Sequence, residues 1–149
     1  MASVDVGTAD KKGKPGDHKI QCVVVTPERT LFDELVDFVA LPLYDGELGV
    51  APGRTPLIGR LGFGELRTRA GGTTRRYFVD GGFVQVRDDV VTVLTNRATP
   101  AELVDSAKAV KDLEQAQASR ATSDYELDQK ARAVARARAM VRVGTPTRA

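Results

Sequence analysis

The sequence lacks several of the features on which whole classes of protein depend. Its 149 residues include no Trp, one Cys and one His. The single Cys22 excludes an internal disulfide, and a single His18, next to a polar tail, leaves no His-based catalytic triad or metal cluster. Cys22 lies in a valine-rich stretch, so we predict a buried, unreactive thiol and a reducing compartment.

Long apolar runs are also missing. No run approaches the roughly 18 residues that a membrane-spanning helix needs. The first 19 residues lack the apolar stretch of a signal peptide, and they contain several Asp residues, which a transit peptide avoids. We therefore predict that residues 1–18 form a disordered polar extension.

Motifs for catalysis, metals and nucleotides are missing as well. There is no glycine-rich phosphate loop ending in Lys-Ser or Lys-Thr, and Gly62-Phe63-Gly64 lacks the third glycine of a dinucleotide fingerprint. The Tyr-Asp-Gly-Glu at 44–47 is more typical of a turn than of a cation site. We predict no catalytic residue, no metal ligand and no cofactor, and hence a protein that is not itself an enzyme.

Strand signals fill residues 19–98. Short β-branched segments alternate with turn signals at Gly71-Gly72, Gly81-Gly82 and Asp88-Asp89, each of which is predicted to separate two strands. With so few aromatic residues (5%), the core must be built from Val, Leu and Ala. This spacing predicts a compact antiparallel sandwich or barrel.

Helix signals replace the strand signals after Arg97. Thr99 and Glu102 have the spacing of a capping box, and so do Ser123 and Glu126, so each pair is predicted to begin a helix. Gly144 is predicted to end the second helix. The short connection at 118–122 favours an antiparallel helical hairpin over residues 99–143, followed by a tail at 144–149.

The helical hairpin has narrow apolar faces. Because these faces are rich in Ala and Val, they bury little surface, and we expect the hairpin to be weakly held and free to move. The predicted face residues are Leu103, Ala107, Val110 and Leu113 in the first helix and Leu127, Val134, Ala137 and Val141 in the second.

Positive charge is concentrated in the second helix, although the whole chain carries only +2. This pattern fits either a solvated helix face or an arm that binds an acidic surface or a phosphate, and the sequence favours neither. Nucleic acid is a weaker option because no aromatic residue interleaves these cations. The cations are Lys130, Arg132, Arg136, Arg138 and Arg142.

Three separated motifs resemble the epsilon subunits of F-type ATP synthases. They are Gly-Glu-Leu-Gly at 46–49, Pro-Gly-Arg-Thr-Pro-Leu at 52–57 and Gly-Gly-Phe-Val-Gln-Val at 81–86. The resemblance extends over residues 20–143. It implies an α+β fold, in which an antiparallel β-sandwich of about ten short strands precedes a C-terminal antiparallel α-helical hairpin.

The resemblance also implies a function. A family member is a non-catalytic subunit of the central stalk that couples rotation of the c-ring, together with gamma, to ATP synthesis in the alpha/beta hexamer. It lies at the cytoplasmic face of the bacterial inner membrane and associates with the membrane only through the complex. Glu47, Gly53 and Arg54 correspond to the rotor-docking residues, and Arg54 replaces the family's usual His.

The resemblance implies a regulatory role for the helical hairpin. When the hairpin extends it inhibits ATP hydrolysis, and the basic residues Arg132, Arg136, Arg138 and Arg142 would then contact an acidic segment of beta. Some members bind ATP as a regulatory ligand, and the nearest matches here are Val104, Asp105, Lys108 and Ala109 with Arg132 and Arg136. The alternative hypothesis is a stand-alone sandwich whose basic helix binds an acidic partner or nucleic acid.

Overall fold

The computed structural model describes residues 18–144, so nearly all of the extension predicted at 1–18 and of the tail predicted at 144–149 lies outside the described residues. A β-sandwich comes first and two helices follow, which confirms the predicted α+β class. The strands are β1 Ile20–Val25, β2 Thr30–Val36, β3 Phe38–Leu43, β4 Gly46–Val50, β5 Leu57–Ala70, β6 Thr73–Arg87, β7 Val90–Leu94 and β8 Ala98–Pro100.

The strands hydrogen-bond in the order β2-β1-β7-β6-β5-β3-β4, with β8 also on β6. Every pair is antiparallel except β1 and β7, which run parallel. Strands β5 and β6 have 14 and 15 residues and pair from end to end. One end of this long ribbon pairs with β7 and the other with β8 and most of β3, so it links the two layers of the sandwich.

The predicted turn at Gly81-Gly82 is wrong, and this is one reason why the described residues form eight strands rather than about ten. Strand β6 runs through both glycines, which have φ values of 69° and 114°. Gly82 instead allows β6 to approach β7 closely, because a Cβ atom at this position would collide with the carbonyl oxygen of Leu94 in β7. The turns at Gly71-Gly72 and Asp88-Asp89 are confirmed.

The sandwich core is aliphatic, as predicted. Its buried residues are mostly Val, Leu and Ile, and include Ile20, Val24, Val39, Leu41, Leu66, Val84 and Val91. Cys22 is fully buried among them, and burial raises the pKa of its thiol to about 12. The thiol therefore stays protonated at neutral pH and is no nucleophile, in agreement with its sequence context.

The first helix begins later than predicted. Thr99 pairs with Phe78 in the β8–β6 ladder, so it is extended and does not cap a helix. A short 3-10 turn at Ala101–Leu103 follows, and α1 spans Ser106–Ala118. Its N-cap is Asp105, whose Oδ1 accepts a hydrogen bond from the Lys108 N–H at 3.0 Å.

The second helix, α2, spans Asp124–Gly144 and begins as predicted. The Glu126 N–H donates to Ser123 Oγ at 3.1 Å. The Glu126 carboxylate accepts from the N–H and hydroxyl of Thr122, and these hydrogen bonds lower the pKa of Glu126. The capping box is therefore confirmed, except that the Glu126 carboxylate accepts from the N–H of Thr122 rather than from that of the N-cap residue Ser123.

The apolar faces of the helices differ from the prediction. Leu103, Val110 and Leu127 are exposed, and of the predicted face residues only Ala137 is buried. Smaller residues, Ala109 in α1 and Ala139 and Val143 in α2, occupy the contacts instead. In α1 the buried Ala109 and the half-buried Leu113 lie four residues apart, so the packed face is centred on them and is rotated from the predicted one. Helix α1 packs mainly on α2.

Candidate functional surfaces

One outer face of the sandwich carries large exposed apolar residues. Phe83 in β6 pairs with Arg60 in β5 on one side and with Leu94 in β7 on the other, and Leu94 pairs with Val25 in β1. Paired residues point to the same side of a sheet, so these four form one row. Ile58 lies two residues before Arg60 and joins the same face. We call this set of five residues the apolar outer face.

The apolar outer face is exposed in the isolated chain. Ile58 is 78% exposed, Phe83 57% and Leu94 52%. At its margin the Arg60 guanidinium lies 4.8 Å from the centroid of the Tyr44 ring. A contiguous apolar surface with a cationic and aromatic margin is the usual form of a protein–protein contact site.

The predicted docking residues Gly53 and Arg54 lie in the loop between β4 and β5, and we call residues 52–54 the docking turn. Gly53 has a φ of 85°, a conformation that glycine adopts without strain. Its N–H donates a 2.8 Å hydrogen bond to Oδ1 of Asp89, in the turn between β6 and β7. Arg54 is exposed, so its guanidinium is accessible to a partner.

Glu47 lies apart from the docking turn. It is the second residue of β4, whereas the turn follows the end of that strand. The strand alone puts about 10 Å between Glu47 and Val50, at roughly 3.3 Å per residue. Glu47 is instead near Arg67, with 3.6 Å between its Oε1 and the guanidinium Nη2. The three predicted docking residues therefore lie in two places: Gly53 and Arg54 in the docking turn, and Glu47 in β4.

The helical hairpin covers part of the opposite layer through a small apolar cluster. Helix α2 packs on β5, β6 and the 3-10 turn. Phe78 is fully buried at the centre of this cluster. The other buried members are Ala101, Val104, Ala139 and Val143, with Phe63 and Met140 at the edge.

Charged groups add two further contacts between helix and sheet. Arg136 Nε lies 2.9 Å from Asp80 Oδ2, and Arg76 donates to the carbonyl oxygen of Val143 at 3.2 Å. Oε2 of Glu65 lies 2.6 Å from Nη2 of Arg76, and this ion pair holds the Arg76 guanidinium in place. Arg136 and Val143 are seven residues apart, so they lie on the same side of α2. We call this set of five residues the clasp.

The four arginines of α2 that the resemblance assigned to the contact with beta fall into two groups. Arg136 is half-buried in the clasp, whereas Arg132, Arg138 and Arg142 are exposed. The last three are therefore available to an acidic partner while the hairpin is docked, and Arg136 becomes available only when it leaves Asp80. Sequence reasoning missed Asp80, because its partner lies 56 positions away.

Three comparisons with known proteins agree with one another. Residues 19–101 match the family model described as ATP synthase, Delta/Epsilon chain, beta-sandwich domain. The ATP synthase epsilon chain of Rhodopirellula baltica is 54% identical over 123 residues, which cover 83% of this chain and 96% of that one. The chain belongs to the ATP synthase epsilon chain family. An epsilon chain of Nitratidesulfovibrio vulgaris (strain DP4) is 37% identical over 120 residues, covering 80% and 90% of the two chains.

Two chains from solved structures of ATP synthases have a similar fold. A chain of the Euglena gracilis mitochondrial ATP synthase, from a structure of its OSCP, F1 and c-ring, matches with a TM-score of 0.75 and 27% identity. The match covers 91% of this chain and 92% of that one. A chain from the central stalk and c-ring of the Tetrahymena thermophila enzyme has a TM-score of 0.68 at 14% identity, over 86% and 98% of the chains, and supports the fold alone.

The residues that the family resemblance assigned to ATP lie at the start of α1 and within α2. Val104 and Ala109 are buried, and Asp105 caps α1. A Cβ on Gly144 would lie 3.1 Å from Val104, so the start of α1 adjoins the end of α2. Arg132 lies about 18 Å from that end along the helix axis, at 1.5 Å per residue.

The described part of the chain was compared with the requirements of a metal site and of a membrane-spanning helix. Between residues 18 and 144, no three His, Cys, Asp or Glu side chains are grouped as metal ligands would be. Neither α1 nor α2 combines the length and the hydropathy that spanning a membrane requires.

Proposed function

We propose that this chain is a central-stalk subunit of a bacterial ATP synthase that couples c-ring rotation, together with gamma, to ATP synthesis in the alpha/beta hexamer. The observation that carries the proposal is the apolar outer face on a sandwich of the epsilon family. An isolated sandwich gains nothing from exposing Ile58, Phe83 and Leu94, whereas a subunit that is permanently bound buries them. The comparisons give no support to a stand-alone acidic-partner or nucleic-acid module.

We assign the apolar outer face to gamma and the docking turn, together with Glu47, to the c-ring. Transmission of torque requires a contact that does not slip, and burial of aromatic and aliphatic side chains supplies most of the free energy of such a contact. The docking turn offers Arg54, whose five N–H donors suit the polar loops of a ring. The chain contributes no catalytic group, and it reaches the cytoplasmic face of the inner membrane through its partners.

We assign the inhibitory role to the helical hairpin. The hairpin is held on the sandwich by the clasp and a five-residue buried cluster, so it can detach while the sandwich stays folded. After detachment, Arg136 joins Arg132, Arg138 and Arg142 as cations for an acidic segment of beta. ATP as a regulatory ligand of the hairpin stays a prediction and is not part of this proposal.

Replacement Phe83→Glu is expected to weaken binding to gamma by roughly 100-fold, because a carboxylate would be buried in the contact without a partner. The measurement is co-purification of gamma with this chain, followed by titration of the two purified subunits. The matched control is Leu35→Glu. Leu35 is 62% exposed on the edge strand β2, three strands away from Phe83 in the order β2-β1-β7-β6, so this variant should bind gamma normally. Equal losses in the two variants would contradict the assignment.

Deletion of residues 106–149 is expected to raise ATP hydrolysis by the assembled complex roughly tenfold, a typical size for the coupling between a regulatory element and an active site. The deletion starts at 106 because Ala101 and Val104 pack on Phe78 and help to cover it. Hydrolysis is compared in complexes that contain equal amounts of gamma. Unchanged hydrolysis would remove the inhibitory role and leave the coupling role intact.

A further inference from the structure

We propose that Asp89 is a positioning residue that fixes the docking turn in the orientation in which it meets its partner. The Gly53 N–H donates to Asp89 Oδ1 at 2.8 Å, across 36 positions of the sequence. This contact joins the β4–β5 loop to the β6–β7 turn, two loops that no shared strand connects. The inference rests on the proposed contact between the docking turn and the c-ring.

Asp89 is well placed to act as an anchor because its own backbone is fixed. Asp88 and Asp89 have φ values of 51° and 60°, the geometry of a tight two-residue turn, and Arg87 pairs with Val90 on either side of it. The Asp89 carbonyl oxygen also accepts a 2.9 Å hydrogen bond from the Gln21 N–H in β1. The position of the carboxylate is thus set by β1, β6 and β7 together.

The docking turn needs such an anchor. Residues 51–56 belong to no strand, so no ladder of backbone hydrogen bonds holds them. The Asp89 carboxylate satisfies the N–H of Gly53, the residue with positive φ in the middle of this loop. A charged acceptor makes a stronger hydrogen bond than a neutral one. The bond therefore selects one conformation of the turn and directs Arg54 outward.

A fixed turn has a functional consequence. A loop that is already in its bound conformation loses less conformational entropy when it binds. A rigid surface also deforms less under load, so it transmits torque with less loss. Removal of the Asp89 carboxylate should therefore weaken binding to the c-ring without weakening binding to gamma, because the apolar outer face does not include this turn.

The test compares three variants of the full-length chain in complex with gamma. Asp89→Gly tolerates the positive φ and removes the carboxylate, whereas Asp89→Asn keeps both an acceptor oxygen and tolerance of this φ. Asp88→Gly is the matched control, since Asp88 has the same left-handed geometry but its side chain pairs with Arg87 rather than with the docking turn.

The first measurement is amide exchange at Gly53. Exchange should be at least about tenfold faster in Asp89→Gly than in the wild-type chain, intermediate in Asp89→Asn because its neutral oxygen is a weaker acceptor, and close to wild-type in Asp88→Gly. The second measurement is the affinity of each gamma complex for purified c-ring in detergent. We expect roughly tenfold weaker binding for Asp89→Gly, a smaller loss for Asp89→Asn and none for Asp88→Gly, since loss of a hydrogen bond to a charged group weakens binding by about this factor.

The outcomes separate this inference from the proposed function. If wild-type complexes bind the c-ring and Asp89→Gly binds equally well, the inference is overturned and the proposed function stands. Equal weakening in Asp88→Gly or Asp89→Asn also overturns it, because the effect would then belong to the turn as a whole or to the negative charge. If the wild-type complex fails to bind the c-ring, the proposed contact itself is wrong.

Discussion

Replacement Gly82→Ala is expected to destabilise the sandwich by about 4 kcal/mol, close to the whole stability of many domains of this size. The residue has a φ of 114°, which alanine rarely adopts. The added methyl group would also collide with the Leu94 carbonyl oxygen and lie 2.9 Å from the Thr95 Cα. Both obstacles are backbone atoms of the neighbouring chain segment, so they can move only if the pairing of β6 with β7 is disrupted.

The matched control for this prediction is Gly71→Ala. Gly71 also has a positive φ, of 57°, but no other atom would lie within 4 Å of the new methyl group. This variant therefore reports the backbone strain alone, about 1–2 kcal/mol. Unfolding in urea, followed by far-UV circular dichroism, measures both changes. If Gly82→Ala were no more destabilising than Gly71→Ala, the close approach of β6 to β7 at this point would be wrong.

Replacement Asp80→Lys is expected to release the helical hairpin and to make the complex more strongly inhibited. The change puts a cation beside Arg136, where the wild-type chain has a carboxylate 2.9 Å away. Because Arg136 is partly exposed, the loss of docking free energy is modest, about 1–2 kcal/mol, which corresponds to roughly 5–30-fold more detached hairpin. Amide exchange in α2 should accelerate by this factor, and ATP hydrolysis by the complex should fall.

Two further variants make this second prediction specific. The charge exchange Asp80→Lys with Arg136→Glu restores an ion pair at the same position, so it should return exchange in α2 towards the wild-type rate. Glu34→Lys is the control for a change of charge alone, because Glu34 lies in β2 and pairs with Arg75 rather than with a residue of the hairpin. Hydrolysis that rises in Asp80→Lys, as it should in the deletion of 106–149, would show that the detached hairpin does not inhibit.

The contrast between the two parts of the molecule explains why this mechanism is available. Among residues 18–144, the main core of the sandwich has sixteen buried residues, whereas the cluster between the hairpin and the sandwich has five. Apolar burial contributes roughly in proportion to area, so the hairpin opens at a lower cost than the sandwich. The ion pair of Arg136 with Asp80 and the hydrogen bond from Arg76 to the Val143 carbonyl add to the free energy of docking, and salt or a competing charge weakens the ion pair.

Several elements could be predicted from the sequence because their signals act over a few residues. Gly71-Gly72 and Asp88-Asp89 form turns as predicted, since these residues tolerate positive φ. Ser123 caps α2 because its hydroxyl reaches an N–H three residues away. The aliphatic core follows from composition alone. The family resemblance, carried by separated motifs in the right order, gave the fold class and the functional hypothesis.

Other elements were decided by contacts between distant segments. Thr99 has the local signature of a helix cap, but pairing with Phe78 in β6 makes it a strand residue. Gly81-Gly82 has the signature of a turn, but pairing with β5 on both sides of Gly81 keeps the two glycines within β6. In both cases a row of backbone hydrogen bonds in the sandwich outweighs a local preference of about 1 kcal/mol.

The sequence by itself determined which residues would turn, cap and fill a core in this protein. Only the tertiary structure decided that Asp80 would hold Arg136 and that Asp89 would hold Gly53, 56 and 36 positions apart. A carboxylate can pair with many cations or N–H groups on a charged surface, and the residues next to it in the sequence do not specify which one. The packing of the layers and the helix chooses it, because the free energy of a hydrogen bond depends on a separation of about 3 Å.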